Sequence, residues 1–428
     1  MADQVEIQLG HLCNNRCVFC VSGQRTARGQ AGVAALGPLL ESLRAARERG
    51  STKITLLGGE PTLQPVFMAV LRACGDLGFS EVVVFTNGAK TARAGFVDEI
   101  LETGVPVSFR LSIQGATEES HERTTKKPGS FARLVRTMEH LHARGARVTV
   151  NACIVDTNYE DLARFPALLE PYGVSQLHLD LMRPADAGDR TEDELRAHMP
   201  RFADLVPSMR AMVNGFSPGF DVNLGNLPYC VAPDLARVIH HDGERTMAVA
   251  IDGDDLPSAP WDKYAVKRRD KVKPESCARC LLSPRCSGVF DRYASTYGIA
   301  ELVPIDRAQL DAIDPDHRLR LDLGLDADLE TLAPALARPL ARLRAHGRLG
   351  TLRVTRTVVE DLRAELTLEG EGDERALFFI DMRPGAAKKS GYRVLAGEGS
   401  LALREGLEVL MSVLSRRALP IISEAPAR

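Results

Sequence analysis

The 428-residue chain lacks an apolar run approaching the roughly 20 residues that a membrane span requires. Its start, Met1-Ala2-Asp3-Gln4, lacks the cationic segment and apolar core of an export signal. The formal charge of −3 provides no protein-wide basic field that would attract nucleic acid or anionic membranes. These absences predict a globular protein of the cytoplasm, with no membrane partner.

Cysteine is also scarce, with 9 residues in the whole chain, so its grouping is informative. Cys13, Cys17 and Cys20 fall within one short run directly after the first predicted strand. In a long chain without an export signal, cysteines grouped in threes are typical of metal ligands rather than disulfides. Three thiolates at this spacing can hold three corners of a 4Fe-4S cube, which leaves the fourth iron open to a small molecule.

Six β-rich segments alternate with helix-length segments over roughly the first 185 residues. The predicted strands are Val5–Gly10, Lys53–Gly59, Glu81–Asn87, Pro106–Gln114, Arg147–Val155 and Gln176–Arg183. Six strand-helix units predict a parallel sheet, and they are too few to close an eight-fold barrel. We therefore expect an open, partial (βα)6 TIM-like barrel whose active site lies at the C-terminal edge of the strands.

Strands four to six alternate apolar with mainly polar residues, which separates helix-facing positions from lumen-facing ones. The lumen-facing set is Arg110, Ser112, Gln114, Thr149, Asn151, Cys153, His178, Asp180 and Met182. A barrel filled only for stability would hold bulky branched residues, so this polarity favours a lumen that binds a ligand. The alternative is a strand shifted in frame, whose polar residues would face solvent.

With these residues identified, the sequence resembles the radical S-adenosylmethionine (SAM) enzymes. Cys13, Cys17, Phe19 and Cys20 match the family motif CxxxCxΦC. The run Gly58-Gly59-Glu60-Pro61 resembles the GGE motif, and the resemblance assigns its backbone and its glutamate to the SAM ammonium group. Taken alone, the same four residues would suit a turn before the second helix, but their position directly after the second strand favours the ligand site.

Three further positions at strand ends agree with this resemblance, which covers roughly residues 5 to 185. Asn87 ends strand three in Thr86-Asn87-Gly88, as in many members of the family. Ser112 occupies the strand-four region near the SAM carboxylate and ribose, and Asn151 the strand-five region near the ribose and adenine. All three are predicted to contact SAM.

A second group of cysteines follows at Cys277, Cys280 and Cys286, with Cys230 upstream. Four cysteines can complete a closed cube, while tetrahedral zinc is the alternative on spacing alone. The spacing resembles the auxiliary-cluster segment of the SPASM and twitch branches of the family. It implies one auxiliary 4Fe-4S cluster, because Phe290 stands where a full SPASM domain has another cysteine. Cys230 is the least supported ligand, since a substrate or a noncysteine side chain could take that corner.

The predicted fold class is α/β, with three domains. Residues 1–220 form the radical SAM partial barrel, residues 221–305 a SPASM/twitch-like auxiliary-cluster domain, and residues 306–428 a C-terminal α+β accessory domain. The last domain is expected to hold a leucine-rich helix, three strands and a final helix, near Leu329–Leu343, Thr351–Thr357, Leu362–Leu368, Ala376–Met382 and Ser400–Leu414.

The resemblance implies that a 5′-deoxyadenosyl radical, formed by reductive cleavage of SAM at the first cluster, abstracts hydrogen from a substrate. A peptide, in the maturation of a ribosomally made peptide, is the leading substrate class. The alternatives are dehydrogenation or rearrangement of a small molecule, and modification of RNA. An electron donor such as flavodoxin or ferredoxin is the expected partner.

Two interpretations stay open beside this one. Cys153, on the predicted lumen face, is either a hydrogen donor to a substrate radical or an inert buried thiol. A metal-dependent binding or regulatory protein that has lost turnover is the alternative function class, against which Glu60 and the intact cysteine motif argue. Nucleic acid is not expected as a partner, because a cluster of arginines near residue 340 is soon offset by acidic residues.

Overall fold

The computed structural model describes residues 4–184, 192–241, 246–251, 255–315, 319–320, 323, 348–349, 352–360, 363–370, 373–381, 389–396 and 421–424. The chain divides into two compact units, Met1–Pro304 and Ile305–Arg428. None of the helices in these described residues has both the length and the apolar character needed to cross a membrane.

The first unit is built on parallel strands that pair in sequence order. They are β1 Gln4–Gln8, β2 Lys53–Leu57, β3 Glu81–Thr86, β4 Val107–Ser112, β5 Val148–Ile154 and β6 Gln176–Leu181. All six predicted strands are present, with their ends within two residues of the predicted positions. The α/β fold class and the open (βα)6 arrangement are thus confirmed.

Helices follow the strands and cover the outside of the sheet. They are α1 Val21–Ala27, α2 Leu36–Glu48, α3 Phe67–Asp76, α4 Ala94–Leu101, α5 Glu118–Thr125, α6 Ser130–Ala143 and α7 Phe165–Leu169. In α2 the buried residues Leu39, Leu43 and Ala46 recur with the period of one helix face. These residues belong to the buried core of the unit.

The opposite side of strands β4 to β6 is polar, as the alternation predicts. In β5 the buried residues alternate with the half-buried Thr149, Asn151 and Cys153. In β6 the leucines are buried, whereas His178 and Asp180 are half-buried. The structure thus has the strand frame inferred from the sequence.

The sheet continues beyond the six predicted strands and reaches ten. The additional strands are β7 Asp221–Gly225, β8 Ile239–His240, β9 Thr246–Val249 and β10 Trp261–Asp262. β7 pairs with β6, and β9 pairs in parallel with β1. Residues on both sides of the expected boundary at 220 therefore share one sheet, while the three-domain division stays a prediction.

Short elements complete the first unit. They are α8 Glu192–Ala197, α9 Phe202–Gly215, α10 Lys263–Arg269, β11 Lys271–Val272, β12 Val289–Phe290 and α11 Asp291–Tyr297. Pro200 lies between α8 and α9, where its missing amide N–H and its ring disfavour a continuous helix. β11 and β12 pair with each other and flank the segment that carries Cys277, Cys280 and Cys286.

The second unit contains a separate six-stranded sheet. Its elements are α12 Arg307–Ile313, β13 Arg348–Leu349, β14 Leu352–Glu360, β15 Arg363–Glu369, β16 Arg375–Asp381, β17 Lys389–Ala396 and β18 Ile421–Glu424. The three predicted strands correspond to β14, β15 and β16. Leu366 pairs with Phe378, and both side chains are buried. The predicted helices at Leu329–Leu343 and from Ser400 lie outside the described residues.

Tyr293 fastens α11 to the start of α9. Its hydroxyl accepts a hydrogen bond from the Phe202 amide at 2.7 Å and donates one to Glu301 at 2.6 Å, while its ring stacks on Phe202. Both partners would lose a hydrogen bond in Tyr293→Phe, so we expect the free energy of unfolding to fall by about 1–3 kcal/mol. Urea unfolding measures this, with Tyr172→Phe as control because the Tyr172 hydroxyl makes no hydrogen bond to the described residues. Equal midpoints for the two variants would contradict the assignment.

Candidate active site

The first three cysteines lie in the loop between β1 and α1, at the C-terminal edge of the sheet. Backbone hydrogen bonds hold this loop to α5, from Arg16 N to Thr125 O and from Val18 N to Thr124 O, both at 2.9 Å. The Cys13 amide donates to Thr26 Oγ1 at 3.1 Å. The loop is therefore fixed at several points along its length.

The thiols of this loop are half-buried and lie near one another. Burial raises the pKa of Cys13 to about 12, and the neighbouring Cys20 raises it further. Burial also raises the pKa of Cys17 well above its usual value, again with contributions from Cys20 and Cys13. A metal cluster fits this donor set, because its positive charge stabilises the thiolate form that burial and mutual repulsion oppose.

Two glycines after β2 bring the next loop against the cysteine loop. Gly59 N donates to Gly10 O, and Glu60 N donates to Leu12 O, both at 2.8 Å. A Cβ atom at Gly59 would lie 2.4 Å from the His11 carbonyl oxygen and 2.5 Å from that of Leu12. Only glycine fits where the two loops come this close, so their contact explains why residue 59 is a glycine.

Glu60 is buried, and its carboxylate is engaged by the chain itself. One oxygen accepts hydrogen bonds from the Thr62 amide, the Thr62 hydroxyl and the Thr86 hydroxyl, and the other accepts one from the Asn87 amide at 2.6 Å. Burial raises the pKa of this carboxyl group, although the four hydrogen bonds oppose the change. Four donors match the usual capacity of a carboxylate. In this structure Glu60 joins the ends of β2 and β3, and its contact with SAM stays a prediction.

Asn87 links the end of β3 to the cysteine loop. Its side-chain amide donates to Asn14 Oδ1 at 3.0 Å and approaches Cys13 Sγ at 3.6 Å. Asn87 was predicted among the SAM contacts, whereas Asn14 and Thr86 were not assigned a role. Thr86 lies within the Thr86-Asn87-Gly88 motif that the sequence analysis identified. Nothing in the sequence indicated that Asn14 would accept a hydrogen bond from Asn87.

Ser112 and Asn151 occupy paired positions on β4 and β5, on the lumen side. Ser112 Oγ accepts a hydrogen bond from the Gln114 side chain at 2.6 Å, and the Asn151 amide donates to the His178 carbonyl at 3.0 Å. The structure thus brings these two predicted SAM contacts together. Pro61 begins a single 3-10 turn directly after Glu60.

Cys153 lies between the lumen and the cysteine loop. It packs, together with Phe19 and Tyr297, against a buried cluster that includes Val18 and Val155. Its thiol also interacts electrostatically with Cys17. The candidate hydrogen donor is therefore close to the candidate cluster site, although its role in catalysis stays a prediction.

The second group of cysteines lines one cavity of about 410 Å³, part of it open to solvent. Cys230, Cys277, Cys280 and Cys286 all contribute to its wall. Burial raises the pKa of Cys230 to about 12, and the other three cysteines raise it further. The structure thus brings the distant Cys230 to the other three, as a fourth ligand requires.

Within the described part of the chain, no three His, Cys, Asp or Glu side chains are grouped closely enough to hold a single metal ion. A 4Fe-4S cube is a larger object than one ion, so the thiolates that hold it stand further apart than those around zinc. The identity of the metal at either site stays a prediction.

Comparison with known proteins agrees with this geometry. The Radical SAM superfamily family model matches residues 7–169, which run from β1 to the end of α7. An AdoMet-dependent heme synthase of Methanosarcina barkeri is 26% identical over 181 residues, which are 42% of this chain and 51% of that protein. A probable GTP 3',8-cyclase of Saccharolobus islandicus is 23% identical over 256 residues, 59% of this chain and 80% of that protein. The chain therefore spans about half the length of the first of these relatives.

Similar solved structures include SuiB of Streptococcus suis bound to S-adenosylmethionine, with a TM-score of 0.48, 14% identity, and coverage of 71% of this chain and 76% of SuiB. Another is anSMEcpe with bound AdoMet and a peptide, with a TM-score of 0.46, 13% identity, and coverage of 79% of this chain and 99% of anSMEcpe. Both likenesses concern the fold alone. The family match at residues 7–169 falls on the part of the barrel that carries the first cysteine group, so this segment of the chain is a radical SAM domain.

Proposed function

We propose that this chain is a radical SAM enzyme that cleaves SAM reductively at a 4Fe-4S cluster held by Cys13, Cys17 and Cys20. The observation that carries the proposal is the convergence of three partly buried thiols in one fixed loop at the C-terminal edge of the barrel. When bound, the cluster and SAM supply the electron and the carbon-centred radical that remove hydrogen from an unactivated position.

The surrounding residues have defined parts in this proposal. The Asn87 amide, aimed at Cys13 Sγ, stabilises the thiolate by a weak hydrogen bond and orients the ligand. Glu60 keeps Asn87 in place by accepting a hydrogen bond from its backbone amide. Ser112 and Asn151, in the lumen directly below the cysteine edge, are assigned to the polar groups of SAM.

The second cysteine group is proposed to hold an auxiliary 4Fe-4S cluster with Cys230 as its fourth ligand. Lys271 supports a connection between this site and the lumen, because both Asp180 of β6 and Cys286 of the second group act electrostatically on it. We therefore propose that the substrate lies between the barrel and this cluster, which accepts an electron from the substrate radical or anchors the substrate.

A peptide is the proposed substrate class. What supports it is the likeness of the Cys277–Cys286 spacing to the auxiliary-cluster segment of the SPASM and twitch branches. Small-molecule dehydrogenation or rearrangement is the second candidate, and RNA modification the third. We place the reaction in the cytoplasm, with a flavodoxin or ferredoxin as electron donor, because a reducing compartment preserves the free thiols that both clusters need.

The activity is tested by reconstituting the full chain anaerobically and incubating it with SAM and dithionite. We expect about eight iron atoms per chain and release of 5′-deoxyadenosine, which Cys17→Ala abolishes. The matched control is Cys74→Ala, which removes a buried thiol of α3 that belongs to neither group. Zinc in place of iron, or no 5′-deoxyadenosine from a fully loaded sample, would contradict the proposal and favour a binding protein.

The auxiliary site is tested separately in Cys277→Ala and Cys280→Ala. Because these residues lie outside the first cysteine loop, the variants should lose roughly half of the iron and keep part of the SAM cleavage. Product formation should disappear. A variant that forms product at the wild-type rate would remove the auxiliary cluster from the reaction.

The substrate class is tested with a fractionated extract of the source organism, by measuring how each fraction stimulates 5′-deoxyadenosine release. We expect the stimulating fraction to be retained by a filter that passes small metabolites and to lose its effect after protease treatment. Stimulation by the filtrate would indicate a small molecule, and loss of stimulation after ribonuclease treatment would indicate RNA.

Gly59→Ala tests the contact between the two loops. The added methyl group would overlap the carbonyl oxygens of His11 and Leu12, so it should displace the cysteine loop. We expect loss of roughly half of the iron per chain, since the second cysteine group is untouched. Gly95→Ala is the control, because a methyl group there meets no atom within 4 Å. Full iron loading of Gly59→Ala would show that the loop tolerates the displacement.

A further inference from the structure

Helix α10 joins the first and sixth strands of the open barrel across the lumen. Lys263 Nζ contacts both carboxylate oxygens of Glu6 on β1, at 2.7 and 2.8 Å. One turn later, Lys267 Nζ lies 3.4 Å from Asp180 on β6. Beyond the helix end, Asp270 accepts a hydrogen bond from Arg183 Nε at 2.6 Å. The strands themselves do not close the barrel, and these ion pairs bridge its two sides.

Arg110 on β4 is a cation of this lumen that has no ion pair among the described residues. Its neighbours Phe109 and Leu111 are buried on the helix side, so Arg110 faces the lumen. Its charge acts on Glu6 of β1 and on Tyr264 of α10. Yet its Nε is buried with no hydrogen-bond partner among the described residues. A buried donor without a partner is costly, and a bound ligand can supply the missing acceptor.

The charges of the lumen do not balance. Burial alone would raise the pKa of Glu6, but Lys263, Arg110 and Lys267 together hold it below its usual value. Burial likewise opposes ionisation of Asp180, whose pKa Lys267 and His178 nevertheless hold well below its usual value. Both carboxylates are therefore ionised at neutral pH. Lys263 and Lys267 each face one of them, so the guanidinium of Arg110 leaves a net positive charge in a partly desolvated space.

We propose that Arg110 binds a carboxylate of the substrate in the barrel lumen, while Lys263 and Lys267 offset the charges of Glu6 and Asp180. A guanidinium binds a carboxylate through two parallel hydrogen bonds, and the free Nε offers one edge of that fork. This inference rests on the proposed function only for calling the ligand a substrate.

The position of Arg110 separates this subsite from the predicted SAM contacts. Ser112, the next lumen residue on β4, lies two residues nearer the cysteine edge, which corresponds to roughly 7 Å along a strand. A ligand anchored at Arg110 therefore sits deeper in the lumen than Ser112. If the ligand is a peptide, its carboxylate comes either from an acidic side chain or from its C-terminus.

The test measures equilibrium binding to the reconstituted full chain without reductant, by calorimetry at constant ionic strength. The probes are N-acetyl-alanyl-alanine, which has a terminal carboxylate, N-acetyl-aspartate amide, which has a side-chain carboxylate, inorganic phosphate, and the neutral N-acetyl-alanine amide. We expect one carboxylate probe to bind at least about tenfold more tightly than the neutral amide, and Arg110→Gln to remove that preference. Whichever carboxylate probe binds identifies the source.

Arg147→Gln is the matched control, since its side chain is largely exposed and pairs with Glu81 at the edge of the sheet. It should bind the probes like the wild type. Arg110→Lys keeps the positive charge but lacks the forked guanidinium, so it should bind the carboxylate probe several-fold more weakly than the wild type. If Arg110→Gln does not fold, Arg110→Lys provides the test. SAM affinity should be the same in all of these variants.

Three results would overturn the inference. The first is equal affinity of the wild type and Arg110→Gln for every probe. The second is tighter binding of phosphate than of either carboxylate probe. The third is a parallel loss of SAM affinity in Arg110→Gln, which would assign Arg110 to the cofactor. Failure of the proposed function would show differently, because 5′-deoxyadenosine release would be absent while carboxylate binding persisted.

Discussion

The fixed course of the loop after β1 is the constraint on which the functional part of the molecule depends. Three thiols that repel one another as thiolates are held in one short segment by backbone hydrogen bonds to α5 and to the glycine turn after β2. These hydrogen bonds fix the backbone course of the loop. Backbone that the surrounding protein holds in place loses less conformational entropy when its thiols bind a cluster.

The same barrel edge shows how buried polar groups define geometry. Glu60 is surrounded by four donors from three residues, which ties the ends of β2 and β3 to a single carboxylate. Asn87 continues this network to the cysteine loop. A fully satisfied buried network of this kind specifies one arrangement of its members, because any other arrangement would leave a donor or the carboxylate without a partner.

The parts of the fold that the sequence predicted are those with a long periodic signal. The six barrel strands could be predicted because each is a β-rich run of five or more residues between helix-length segments, and the lumen face because strands four to six alternate apolar with mainly polar residues. β8 and β10 have two residues each, too few for any periodicity, and they join the sheet only through partners distant in sequence. The hydrogen bonds of Glu60 were not predicted because its partners come from two separate segments, Thr62 beside it and Thr86-Asn87 at the end of β3. Likewise, Lys263 and Lys267 occupy a charged run that resembles a solvated helix face until the barrel is assembled around it.

The pairing of β1 with β9 has a consequence for how the chain reaches its native state. β1 lies at the start of the chain, and the strand that covers its outer edge follows more than 230 residues later. Until that segment is synthesised and docked, the strand leading into the cysteine loop presents unpaired amide and carbonyl groups along one side. A nascent or truncated chain that ends near residue 220 would therefore expose an unpaired strand edge beside its first group of cysteines, so correct maturation is coupled to completion of the whole first unit.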